Sequence, residues 1–243
     1  APADDRSEPE ATEAAPGTSA ATAQPLARIG VVSEASGDII AIDVNNRQRS
    51  LSVTDSIFRG DAVLTDPGAR AVLTMLDEGK VYLREDSRLV FESYTYYENN
   101  TAGSAILTLL RGAFRKVTGL LGKSDPEAVV INTPVATIGV RGTDFGLRIC
   151  NEGACRLPNT GATLGNGLYS GVLDGEVALT NNTGEILTRK GEFFRISNPD
   201  ATPVPAPEAA GLLFSPDELS VLDTEPEEAL GFWAWLKQRL FGD

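Results

Sequence analysis

Histidine is absent from all 243 residues. Its absence removes the commonest general base, every Ser-His or Cys-His nucleophile pair, and most zinc and copper sites. An enzyme built on carboxylates alone remains, but the composition points away from catalysis and gives no cofactor a set of ligands. Long apolar runs are also missing: none approaches the ~20 residues that a spanning helix requires. No charged n-region leads into an apolar h-region after Ala1, so no targeting signal is visible, as expected of a mature form with its signal removed. Proline is nearly absent between Pro67 and Pro126, which keeps that region compatible with sheet pairing.

Basic residues are scarce at the two ends. The net charge of −13 gathers there: Asp4, Asp5, Glu8, Glu10 and Glu13 stand against Arg6, and residues 199–230 carry acids without a base. The middle of the chain, 27–198, is nearly neutral. Nucleic acid is an unsuitable partner for such a core, because phosphate contact needs a basic face.

What is present is β-forming. Residues 1–26, rich in Ala, Pro, Glu, Ser and Thr, bury too little to offset ordering entropy and read as a disordered segment. From 27 to 198 short β-rich runs of four to eight residues follow one another, among them "ARAVLTML", "RLVFESYTYY", "AVVINTP" and "GLYSGVLDGEVALT". A small motif recurs: a charged, polar or small residue, then glycine, then an apolar β run. It occurs at Ser36-Gly37, Arg59-Gly60, Glu78-Gly79, Arg111-Gly112, Asp174-Gly175 and Lys190-Gly191. Its spacing is irregular, unlike a strict solenoid, and ordinary hairpin turns are the preferred reading. The expected fold is all-β, a β-sandwich or short irregular β-solenoid of many short strands.

Residues 199–214 read as a Pro-Ala linker. Residues 215–243 read as a helical segment, with capping boxes at Ser215 and Thr224. There Leu230, Phe232, Trp233, Trp235, Leu236, Leu240 and Phe241 cover most of a helix surface. This segment would pack on its own β domain, dock on a partner, or lie peripherally at a membrane surface; the preceding acids disfavour anionic lipid.

Cys150 and Cys155 bracket "NEGA" and suit a disulfide across a hairpin, ahead of free thiols; a metal site would need further ligands that the chain does not supply. Asp77, Glu78, Glu85 and Asp86 read as turn charges at the ends of a strand, and Arg111, Arg115, Lys116 and Lys123 as a solvated basic cluster. The stretch "KVTGLLGKSDPEA" reads as a flexible excursion, and the tyrosines Tyr94, Tyr96 and Tyr97 as sheet-edge aromatics.

The most individual passage is "INTPVATIGVRGTDFGLRI". With Thr133-Pro134, then Gly139-Val140-Arg141-Gly142-Thr143-Asp144-Phe145, and later Leu173-Asp174-Gly175-Glu176-Val177, it closely resembles the signature of the FecR-type domain, named for the ferric-citrate regulator of Gram-negative bacteria. Upstream, "RGDAVLTDPGARAVLTMLDEGKVYLREDSRLVF" resembles the opening half of that domain. The resemblance covers about 27–198. It implies a non-enzymatic all-β domain exposed to the periplasm or cell surface. The founding members add a sigma-binding region, a transmembrane helix and a signalling domain; none is evident in this sequence, so the domain rather than the regulatory circuit is what carries over.

The function expected is therefore an exported protein-interaction or scaffold module of the cell envelope, linked to surface signalling, engaging a protein partner or another copy of itself. The alternative is a structural subunit of a surface assembly, and a glycan-binding or glycan-acting protein is a minor third. Within the signature, Gly139 and Gly142 are expected to shape a turn. Arg141 and Asp144 are expected to satisfy backbone groups or each other, a scaffold rather than a ligand site.

Overall fold

The computed structural model describes residues 27–97, 102–125, 127–158 and 160–214; the segments expected to be disordered (1–26) and helical (215–243) lie outside them. The strands are β1 (Arg28–Ser36), β2 (Ile39–Ile42), β3 (Gln48–Ser50), β4 (Ser56–Phe58), β5 (Ala62–Thr65), β6 (Arg70–Met75), β7 (Lys80–Leu83) and β8 (Arg88–Tyr97). They continue with β9 (Ala102–Val117), β10 (Val129–Asn132), β11 (Thr137–Cys150), β12 (Gly167–Asn181), β13 (Gly184–Arg189), β14 (Phe193–Ile196) and β15 (Val204–Pro205). Helix among the described residues is limited to α1 (Leu120–Ser124), a 3-10 turn at Pro207–Ala209 and α2 (Ala210–Leu213). The fold is all-β.

Hydrogen bonding joins the strands into one 15-stranded network. The pairings divide that network into two layers. One layer runs β4-β1-β6-β7 and continues through the C-terminal half of β9, the C-terminal half of β11 and the N-terminal half of β12 to β14 and β15. The other runs β3-β2-β5-β8 and continues through the N-terminal half of β9, β10, the N-terminal half of β11 and the C-terminal half of β12 to β13. Inward residues of both layers, such as Leu73, Phe114 and Phe145 from the first and Phe91, Leu107 and Ile138 from the second, share one buried cluster. The two layers therefore pack face to face.

β9, β11 and β12 are 16, 14 and 15 residues long. They exceed the expected four to eight because each passes from one layer to the other without leaving the strand. Corners of this kind are made by bulges or bends. In β11 the register slips between Arg141 and Asp144, with Gly142 at φ +64°; in β12 the corner is Gly175, at φ +79°. A Cβ on Gly175 would collide with the Gly142 carbonyl oxygen, so the two corners nest and only glycine fits. The chain also changes layer near Gly37, Gly60, Gly112 and Gly191. The recurring glycine motif, expected as hairpin turns, thus mostly marks layer crossings. Gly79 differs: it lies in the β6–β7 hairpin within one layer.

The outer face of the first layer is covered by the chain's own residues 204–214. β15 pairs with β14, and Ala206, Ala209, Leu212, Leu213 and Phe214 are buried with Tyr169 and both cysteines. Gly146 and Gly171 are register partners on β11 and β12. A Cβ on Gly146 would stand 3.0 Å from Phe214 Cε1, and one on Gly171 would collide with Phe193 Cδ1 and stand 2.9 Å from Leu213 Cδ1. The missing side chains form a notch, which Phe214 occupies over Gly146 and Phe193 over Gly171. Arg84 donates from Nη1 to the Leu212 carbonyl (2.6 Å) and from Nη2 to that of Leu213 (2.9 Å), satisfying carbonyls left over at the end of α2. The expected linker 199–214 is thus corrected in its second half. Its Pro-Ala composition conceals an apolar Leu-Leu-Phe end that finds a seat on the sheet.

Candidate functional site

The signature starts at the β10–β11 hairpin. Thr133 Oγ1 accepts from the backbone N–H groups of Val135 (3.2 Å) and Ala136 (3.0 Å) and donates to the Ala136 carbonyl (2.8 Å). Pro134 sits at the tip, where its fixed φ suits a turn. From there β11 runs extended through Gly139, which is half-buried and not at positive φ. Gly139 therefore shapes no turn, contrary to expectation; Gly142 alone bends the strand.

Arg141 and Asp144 do not pair with each other. They lie on opposite sides of the corner, and the register slip turns them to different partners. Arg141 Nη1 lies 3.5 Å from Glu176 Oε1 on β12, and Arg189 Nε lies 3.2 Å from the other Glu176 oxygen, an exposed row of cation, anion and cation. Asp144 Oδ1 accepts from Arg115 Nε at 2.8 Å, and its second oxygen meets Arg115 Nη2. Between them, Thr143 donates its backbone N–H to Thr118 Oγ1 (3.1 Å), while its carbonyl accepts from the Thr118 N–H (2.9 Å). Phe145 is fully buried and meets Phe114 edge-on, with ring centroids 5.9 Å apart. Asp174 stays exposed beside Lys190 Nζ (3.1 Å).

The basic cluster expected on a solvated face is divided. Arg111 and Lys123 are exposed, but Arg115 and Lys116 are each only 1% exposed. Arg115 points to the outer face and is covered by the C-terminal segment, its Cζ 6.0 Å from the Phe214 ring centroid. Lys116 points inward. Burial pushes its ammonium below the ordinary lysine value, and the nearby Asp77 carboxylate partly offsets that.

Asp77, expected as a turn charge, is buried. It accepts from the Tyr94 hydroxyl and from the N–H groups of Gly79 (3.2 Å) and Leu121 (3.4 Å). Burial first, and the Asp77 charge second, push the Tyr94 phenol well above the ordinary tyrosine value. Leu121 is buried in α1, so the expected flexible excursion holds a docked helical turn. Of the other expected groups, Glu85 faces Arg148 at 3.7 Å, and Tyr97 is exposed at the end of β8. Sequence reasoning missed Arg49, which donates to the fully buried Asp61 carboxylate beside the Gly60 crossing (Nη1 to Oδ1, 3.0 Å). The Arg59-Gly60-Asp61 turn motif marks the aspartate, but no local pattern marks Arg49.

Cys150 and Cys155 form a disulfide with both residues buried, and no cysteine is free. Among the described residues no cluster of three or more His, Cys, Asp or Glu is placed to hold a metal, and no helix is long and apolar enough to cross a membrane. The aromatic docking residues Leu230, Phe232, Trp233, Trp235, Leu236, Leu240 and Phe241 lie outside the described residues. The arrangement seen is a set of internal ties: carboxylates held by arginine, tyrosine and backbone N–H groups at places where the chain changes direction.

No curated protein matches the chain. Two crystal structures of a candidate anti-sigma factor from Parabacteroides distasonis align with TM-scores of 0.43 and 0.42 at 13% and 14% identity. Each alignment covers 60% of this chain and 58% of that protein, so the chain spans under two thirds of its length. A cell surface anchoring domain aligns with a TM-score of 0.25 and 27% identity, over 26% of this chain and 82% of its own. The family model described as FecR protein matches residues 61–178, from the Gly60 crossing through both nested corners into the C-terminal half of β12. That segment, just under half of the chain, is similar to the FecR-type domain.

Proposed function

We propose that this chain is an exported, non-enzymatic protein-interaction module of the bacterial envelope, working in the periplasm or at the cell surface in connection with surface signalling. The FecR match over 61–178 carries this reading. The bonded pair Cys150–Cys155 supports it, because such bonds persist in oxidising compartments. So does the chemistry of the signature: Asp144 is spent on Arg115 and Thr143 on Thr118, which suits a scaffold that presents surface. Partner recognition then falls to exposed residues such as Tyr97 and Leu110 on the outer side of the second layer.

Cell fractionation followed by in-cell cross-linking and mass spectrometry tests the reading. The chain should appear in periplasmic or surface fractions, oxidised at both cysteines, and cross-linked to one or a few proteins. Recovery as a reduced cytoplasmic protein would overturn the location. Turnover of a glycan panel would overturn the non-enzymatic role.

A further inference from the structure

β11 and β12 carry a second notch, on the outer face of the other layer. Gly139 and Ala178 are register partners there, as Gly146 and Gly171 are in the first layer. A Cβ added to Gly139 would meet nothing nearer than the Ala178 Cβ, at 3.7 Å, so there is room for a side chain at Gly139, while Ala178 is held between its neighbours at 5% exposure. The shoulders are apolar. Val130 pairs with Gly139 on one side and Leu187 with Ala178 on the other, and Ile106 extends the row next to Val130. Polar residues close its two ends: the Arg141–Glu176–Arg189 row and the paired Thr137 and Thr180.

The filled notch shows what such a feature accepts. At Gly146–Gly171 two adjacent strands lack side chains, an arginine lies alongside, and aromatic rings fill the space: Phe214 of the C-terminal segment over Gly146 and Phe193 of β14 over Gly171. The Gly139–Ala178 notch resembles it in part, with one glycine facing an alanine and with Arg141 on the same face, and no ring covers it among the described residues. The chain that follows Phe214 supplies candidates: Phe232, Trp233 and Trp235, preceded by Asp217, Glu218, Asp223, Glu225, Glu227 and Glu228. Those acids complement the two arginines of a row that carries a single glutamate.

Reach is ample. Along β11 the two notches are seven residues apart, about 23 Å at ~3.3 Å per residue. Residues 215–231 could extend to about 55 Å.

We infer that the Gly139–Ala178 notch is the docking site for the chain's own C-terminal aromatic segment, with an indole or phenyl ring of residues 232–235 seated as Phe214 is seated in the first notch. The inference concerns how the chain engages itself, and it stands independently of export or of any partner.

Trp233 and Trp235 are the chain's two tryptophans, so intrinsic fluorescence reports the segment directly. In the full chain the emission should be blue-shifted, weakly quenched by acrylamide, and unchanged on wide dilution. Gly139→Ile fills the notch at an extended position; it should red-shift the emission and raise the quenching constant several-fold while the thermal midpoint of the β domain stays within a few degrees. If Gly139→Ile does not fold, Ala178→Leu closes the same notch from β12. Three results would each overturn the inference: free-indole quenching in the wild type, protected tryptophans indifferent to both notch-filling variants, or protection lost on dilution, which would assign the segment to a second copy.

Discussion

Arg115 on β9 and Asp144 on β11 are joined by two parallel charge-assisted hydrogen bonds beneath the C-terminal cover, the arginine 1% and the aspartate 16% exposed. Because the pair is largely out of water, its members depend on each other. Asp144→Asn should lower stability by about 3 kcal/mol, mostly through loss of the carboxylate charge beside the buried guanidinium. A double replacement, Arg115→Met with Asp144→Leu, should recover most of that loss. Urea denaturation of the single and double variants checks both. A double variant as unstable as Asp144→Asn would show that shape, rather than charge, matters at this position.

The nested corners make a sharper test of backbone geometry. Gly175→Ala forces a left-handed backbone region and drives a methyl into the Gly142 carbonyl. Its backbone strain alone should cost about 1–3 kcal/mol. Gly139→Ala, on the same pair of strands but extended and open, should be close to neutral. The two variants belong in one melting experiment, and equal losses would remove the distinction between corner and notch glycines.

Tyr94 gives a pH dependence whose sign is set by its burial first and by its partner second. Its folded-state pKa is raised well above the ordinary 10.0 by burial and by Asp77. A raised pKa contributes stability that is complete below about pH 10 and declines as pH rises further, since the unfolded chain releases the proton first. Tyr94→Phe leaves Asp77 a donor short and should cost about 1–3 kcal/mol at neutral pH. The gap between wild type and Tyr94→Phe should narrow above pH 10. Denaturation curves at pH 7, 9 and 10.5 would show it, and a gap that widens would contradict the assignment.

The disulfide lies under α2 and Phe214, with both cysteines buried. Mild reductant should leave it intact in the folded protein, and reduction should need denaturant as well. Replacing both cysteines by serine should cost about 2 kcal/mol by loop-closure entropy for so short a loop, plus the burial of two hydroxyls. Alkylation and intact-mass analysis, with and without urea, separate the two states.

The all-β class was legible because β-branched runs alternate with glycine throughout 27–198, and the Cys150–Cys155 bond because five residues of separation suit a hairpin. The layer crossings were not legible. A glycine at positive φ reads alike in a two-residue hairpin and in a strand that bends, and which one forms depends on what the far end pairs with. The placement of Arg115 and Lys116 failed for a related reason. In "GAFRKV" strict alternation puts Phe114 and Lys116 inward and Arg115 outward, yet all three are buried. The outer face is sealed by residues about a hundred positions later, and Lys116 is drawn toward Asp77 from a different hairpin. Neither contact leaves a local trace.

Three strands that belong to both layers leave the molecule without a seam. Opening the second layer would tear β9, β11 and β12 from their neighbours on one side of the corner while the other side still held them. Slow amide exchange should therefore extend along the whole length of these strands with one common opening free energy, as in a single cooperative unit. The same continuity bears on how the chain can be cut. An excised 61–178 would lose β1, which pairs with β6 along Arg70–Met75, and would end inside β12. The segment recognisable as a family is thus smaller than the segment that can stand by itself.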